Sequence, residues 1–127
     1  MKPVILVVED NERNRKLVRT VLEFRGYEVV ELEDGEHTVK TAKECKPVVV
    51  LMDIELPKVD GITALGMLRA DSETAHIPVV AVTASVTPNE RDRVVAAGFN
   101  AYISKPIDIM SFGDQIDKLA GKVAAPQ

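Results

Sequence analysis

Val48, Val49, Val50, Leu51 and Met52 are five consecutive apolar residues, and the run stops on an acid, Asp53, with Pro57 and the pair Asp60-Gly61 close behind. A run of this length with no polar residue at alternate positions reads as a strand buried on both faces, the condition of a parallel sheet covered by helices. The turn residues end it abruptly. They leave the Asp53 carboxylate at the carboxyl end of a buried strand, where an ionised acid is costly unless something charged engages it.

The same pattern recurs along the chain. Residues 4–8 are equally apolar and run into two acids, Glu9 and Asp10; a third run, 79–82, ends on Thr83; a short fourth, 101–104, runs into Lys105. Helical patterns separate these strands. Asp10 and Asn11 can cap a helix whose Leu17, Val18, Val21 and Leu22 share one face before Gly26 stops it. A polar helix is expected from about Gly35 to Cys45, carrying Val39 and Ala42 and closing before Pro47. Ile62, Leu65 and Leu68 mark a third helix. Thr87-Pro88-Asn89-Glu90 forms a capping box with Pro at the first helical position, so a fourth helix starts there and ends at Gly98. Asp108 caps a fifth, with Ile109, Phe112, Ile116 and Leu119 spaced three and four apart.

Five strands alternating with five helices imply right-handed crossovers and a doubly wound α/β fold. The uniformly apolar strands belong in the centre. Residues 28–32, which mix Glu28 and Glu31 with apolar neighbours, and the short strand 101–104 belong at the edges. The expected strand order is therefore 2-1-3-4-5, the (βα)5 flavodoxin-like arrangement. Its switch point lies between strands one and three, where ligands bind beyond the carboxyl ends. That topology brings Glu9, Asp10 and Asp53 into one crevice.

Composition narrows the function. A chain of 127 residues with 46% hydrophobic content suits one domain, expected over residues 1–121, with 122–127 as a short flexible tail. Sixteen basic against twenty acidic residues, a net charge of −4, offer no general attraction for nucleic acid or an anionic membrane. A single cysteine, Cys45, excludes an intrachain disulfide, and the amino terminus carries neither a signal-type apolar region nor a span, so a cytoplasmic location is expected. Cys45, His37 and His76 have no metal-ligand company and read as structural or surface residues.

Three clustered carboxylates repel one another, and a hard divalent cation relieves this; Mg²⁺ is favoured by oxygen ligands, with Mn²⁺ as a second candidate. A carboxylate beside such a cation can attack a phosphoryl group when positive charge offsets the charge on the transferring oxygens. Lys105 can supply that charge. Thr83 can offer its hydroxyl to the resulting acyl phosphate. Each residue also has a plainer reading: Asp10 as a helix cap, Asp53 as a turn former, Thr83 as a β-branched strand residue, Lys105 as a solvated charge, Tyr102 as core.

The set Glu9-Asp10, Asp53 within the stretch 52–61, Thr83-Ala84 and Lys105-Pro106 resembles response-regulator receiver domains of the CheY-like superfamily over residues 2 to about 120. The resemblance implies that Asp53 accepts phosphate from a histidine kinase's phosphohistidine or a phosphotransfer protein. It further implies that Glu9, Asp10, Asp53 and the Glu55 backbone carbonyl bind Mg²⁺, that Thr83, Ala84 and Lys105 contact the phosphate, and that Thr83 and Tyr102 form a switch pair. By the same similarity the peptide bond preceding Pro106 is cis. Residues 8–11 and 75–84 resemble the single-domain receivers of cell-division control most. Leu56 and Val59 stand where many receivers carry Met, while Glu55 and Ser85 occupy positions that tune phosphate lifetime in the family. The function so implied is signalling through protein contacts of the fourth helix, fifth strand and fifth helix. The listener is a downstream regulatory protein, another histidine kinase among the candidates, with no nucleic acid and no membrane insertion. It is a phosphoacceptor rather than an enzyme. A phosphate-independent pseudo-receiver and a haloacid-dehalogenase-type phosphatase are the alternatives; the latter normally carries its nucleophile after the first strand.

Overall fold

A computed structural model describes residues 2–56, 58–84, 87–105 and 107–121, apart from the side chain of Ile109. Five strands, β1 (Val4–Val8), β2 (Glu28–Leu32), β3 (Val49–Asp53), β4 (Val79–Thr83) and β5 (Ala101–Ser104), alternate with five helices. The helices are α1 (Glu12–Phe24), α2 (Thr38–Cys45), α3 (Gly61–Ala70), α4 (Pro88–Ala97) and α5 (Ile109–Leu119). All four strand pairings are parallel and the order is β2-β1-β3-β4-β5, the doubly wound arrangement expected. Every residue of β3 and β4 is buried, whereas β2 has none that is fully buried and β5 has one, Ile103. Strand hydropathy and strand position agree.

Alternation along each central strand divides the core into two layers. Leu6, Val8, Val50 and Met52 point to one face and pack with Leu65 and Leu68 of α3 and Val94 of α4. Ile5, Val7, Val49 and Leu51 point to the other and pack with Leu22 of α1 and with Phe112 and Ile116 of α5. Because successive side chains leave a strand on opposite sides, a fully apolar strand needs helices on both. Tyr27 is fully buried, and its hydroxyl donates to Asp117 Oδ1 at 2.6 Å.

Local signals set most boundaries. Asn11, rather than Asp10, caps α1 by accepting from the Asn14 N–H; Asp60, Thr87 and Asp108 cap α3, α4 and α5 likewise. The Glu90 carboxylate lies 3.5 Å from Arg93. The polar helix is shorter than expected, starting at Thr38 instead of Gly35. Asp34 accepts from the Glu36 N–H at 2.9 Å, and the Thr38 hydroxyl donates to the Gly35 carbonyl at 3.0 Å. These side chain–backbone bonds satisfy a turn and delay the helix. Lys46 then ends it in the left-handed region, φ 48°. β3 starts one residue later than the apolar run and takes in Asp53, which pairs with Val82. The expected tail, 122–127, and the expected cis bond at Pro106 lie outside the described residues, as do Pro57 and Ser85. Among the described residues no helix is long and apolar enough to cross a membrane.

Candidate functional site

The carboxyl ends of β1, β3, β4 and β5 meet at one edge of the sheet. Glu9 follows β1 directly, with its N–H donating to Leu32 of β2 at 3.0 Å, and Asp53 is the last residue of β3. One carboxylate oxygen from each of Glu9, Asp10 and Asp53 lies within 4.8 Å of the others. Glu9 and Asp53 are each only 4% exposed, whereas Asp10 faces solvent. Lys105 closes the group: its Nζ lies 2.8 Å from Asp53 Oδ2 and 3.1 Å from Glu9 Oε1. The Lys105 N–H in turn donates to the Thr83 carbonyl at 2.8 Å, which ties the cation to the end of β4.

Each carboxylate is held by backbone as well. Asp53 Oδ1 accepts from the Glu55 N–H at 2.9 Å, and Glu9 Oε2 accepts from the Asn11 N–H at 3.2 Å. Gly61 belongs to the same framework, since a Cβ there would stand 2.5 Å from the Asp53 carbonyl oxygen and 2.8 Å from Ile54 Cα. Only glycine lets α3 start so close under the acid.

The electrostatics are those of too many acids for one cation. Burial, and then the neighbouring Asp53, push the Glu9 carboxyl up to about 7, against the opposing pull of the Asn11 N–H and Lys105. Burial pulls the Lys105 ammonium down, but Asp53 and Glu9 outweigh it and the net direction is upward. The site without metal is thus short of positive charge. Three carboxylates presenting hard oxygen donors from adjacent loops fit a small divalent cation such as Mg²⁺.

Thr83 is buried at the end of β4, and Ala84 is exposed just beyond it. Tyr102 lies half-buried on β5, opposite Ala81, and packs against the core layer under α3 and α4, with Arg91 of α4 over its ring at 6.0 Å from the centroid. The structure brings Glu9, Asp10, Asp53 and Lys105 together and sets Thr83 beside them. In the register Tyr102 stands two positions before Ser104, the residue that pairs with Thr83. His37 and His76 are exposed, and Cys45 packs half-buried with burial raising its thiol.

One residue escapes a motif-based reading. Arg15 of α1 donates through Nη1 to the carbonyls of Glu9, at 2.8 Å, and Asp10, at 3.1 Å, while its Nε pairs with Glu31 of β2 at 3.3 Å. The guanidinium clamps the backbone that presents both acids. Its only sequence signal is a basic residue one turn into the helix after an acidic pair. Arg15→Ala is expected to weaken Mg²⁺ binding about tenfold, because groups that orient ligands commonly carry that much. Isothermal titration with Mg²⁺ measures it; an unchanged affinity would remove the clamp from the account.

Comparison with known proteins agrees with this geometry. Residues 5–117 match the response regulator receiver domain family. The chain is 40% identical over 121 residues to the polar-differentiation response regulator DivK of Brucella anthropi, covering 95% of this chain and 98% of that one. It superposes with TM-score 0.88 and 30% identity on the receiver domain of a sensor histidine kinase from Pseudomonas aeruginosa PAO1, covering 95% and 99% of the two chains. That domain was solved with a magnesium ion coordinated in its active-site cleft. Chemotaxis protein CheY4 of Vibrio cholerae, 22% identical, shares the fold with TM-score 0.86 over 94% of this chain and 99% of its own. With the matched span running from β1 into α5, the chain belongs to the response regulator receiver domain family of two-component signal transduction.

Proposed function

We propose that the domain, residues 1–121, is a phosphorylation-dependent signalling receiver in which Asp53 takes a phosphoryl group from the phosphohistidine of a histidine kinase or phosphotransfer protein. The observation that carries this reading is the buried Asp53 carboxylate paired with Lys105 at 2.8 Å inside the Glu9–Asp10–Asp53 cluster. In the transfer, an Asp53 oxygen forms the new bond to phosphorus as the bond to the histidine nitrogen breaks, and the imidazole leaves with its electron pair. Mg²⁺, or Mn²⁺ in its place, held by Glu9, Asp10, Asp53 and the Glu55 backbone carbonyl, supplies charge neutralisation for the phosphoryl oxygens when bound. Lys105, 2.8 Å from Asp53, adds a fixed positive charge beside the acceptor. Thr83 and the Ala84 backbone contact the phosphate. Self-phosphorylation from a donor and self-dephosphorylation are the only reactions; no outside substrate is turned over.

Signalling follows from population shift. The new charge on Asp53 draws the Thr83 hydroxyl inward and Tyr102 moves into the space vacated, releasing its packing against Arg91. The face made by α4, β5 and α5 changes with it. The resemblance to DivK supports a role in cell-division control in the cytoplasm, with a downstream regulatory protein, another histidine kinase among the candidates, as listener.

Incubation with Mg²⁺ and acetyl phosphate, followed by intact mass, tests the acceptor chemistry: one phosphoryl group is expected on the native chain. Thr83→Ala and Tyr102→Ala test the switch. Both are expected to keep phosphoryl uptake and to cut the phosphate-dependent gain in partner affinity about tenfold, the scale of a typical coupling energy. Unchanged gain in both variants would sink the Thr83–Tyr102 switch while leaving the acceptor intact.

A further inference from the structure

Among the described residues, the two most exposed large apolar side chains stand on α1 and α5. Phe24, at the end of α1, is 93% exposed, and Met110, at the start of α5, is 70% exposed. Both line a groove of about 640 Å³ between the two helices, floored by Leu17 and Val21. An exposed phenylalanine beside an apolar groove marks a contact surface.

Charge along α1 identifies what covers it. Arg13 and Lys16 lie exposed towards its start and Glu23 lies exposed towards its end, with Leu17, Thr20 and Phe24 between and beside them. The other two arginines of α1, Arg15 and Arg19, are engaged by Glu31, but Arg13 and Lys16 make no ion pair among the described residues. Lys16 and Glu23 stand two helical turns apart on one flank, nearly symmetric about Thr20. A helix with this pattern is complementary to itself when reversed. A two-fold axis passing by Thr20 sets Lys16 of each copy against Glu23 of the other, and swings each Phe24 onto the other copy's Leu17 and Met110.

We propose that a second copy of this chain docks here, through an antiparallel α1–α1 contact flanked by α5. The interface is isologous and therefore closed at two copies. Burying one Phe24 removes about 150–250 Å² per copy, a fifth or more of the roughly 800 Å² per partner of a standard interface. The phosphoacceptor is not part of the contact, so the pairing does not depend on phosphorylation or on the function proposed above.

Sedimentation equilibrium of the native chain from about 1 µM to 1 mM, with and without Asp53→Asn, reads the association. Dimer is expected in both, weakened at least tenfold by Phe24→Asp, a substitution at a solvent-exposed position whose fold is checked by circular dichroism. Lys16→Glu is expected to weaken it and Lys16→Glu with Glu23→Lys to restore it. A native chain that stays monomeric throughout overturns the proposal, as does a dimer indifferent to Phe24→Asp or a charge swap that fails to rescue. Loss of the dimer in Asp53→Asn alone would also overturn it, because the contact would then involve the phosphorylation site.

Discussion

Asp53→Asn is expected to abolish phosphoryl uptake completely, with the native chain gaining one phosphoryl group from acetyl phosphate in Mg²⁺ and the variant gaining none. An amide oxygen has neither the negative charge nor the nucleophilicity of the carboxylate, so the bond to phosphorus does not form. The substitution is otherwise mild. The amide oxygen would keep an acceptor for the Glu55 N–H, now 2.9 Å from Asp53 Oδ1, while the amide NH2 would take the place of Oδ2 and the hydrogen bond and ion pair with Lys105 would both be lost. It also removes a carboxylate that pushes the Glu9 carboxyl upward, and Lys105 keeps Glu9, 3.1 Å away, as its partner. Intact mass separates the outcomes. Uptake by a folded Asp53→Asn variant would place the acceptor elsewhere, and no uptake by the native chain from any donor would leave a phosphate-independent interaction module.

Lys105→Met is expected to destabilise the metal-free protein by about 3 kcal/mol at pH 8, the low end of the range for breaking a buried ion pair, because the Lys105 side chain is 21% exposed. The loss strands Glu9 and Asp53, both nearly buried, without a cation. Its pH dependence follows from Glu9. A carboxyl raised to about 7 in the fold, above its ordinary 4.5, contributes stability below 4.5 that is lost as pH rises through 7. Removing Lys105 removes a downward pull on that group, which extends the loss to higher pH. The penalty is therefore smaller at pH 6, where Glu9 holds a proton, than at pH 8. Saturating Mg²⁺ is expected to recover most of it, since a ligand at a hundred times its Kd adds about 2.7 kcal/mol. Urea midpoints in EDTA and in Mg²⁺ at both pH values measure this. Equal midpoints for native and variant at pH 8 in EDTA would show that Lys105 does not offset the two acids.

The acidic strand ends were legible because their chemistry conflicts with their surroundings. Five apolar residues running into Asp53, and five more into Glu9 and Asp10, state both the burial and the charge problem in one dimension. Strand order was legible for the same reason: a strand buried on both faces cannot carry Glu28 and Glu31. Caps at Asn11, Asp60, Thr87 and Asp108 act over three residues and can be read locally. The start of α2 was misplaced because the bonds made by Asp34 and Thr38 within the turn compete with helix on nearly equal terms.

What the sequence by itself determined is the alternation of strands and helices, the central place of β1, β3 and β4, and the identity of the acids and the lysine at the strand ends. Local hydropathy and turn chemistry suffice for these. Only the tertiary structure decided that Lys105 reaches both Glu9 and Asp53, that Arg15 clamps the backbone under the acidic pair, and that Phe24 and Met110 share a groove. Those relations join residues as many as 96 positions apart, and the sheet's parallel register and the packing of α1 beside α5, rather than any local pattern, bring them within reach.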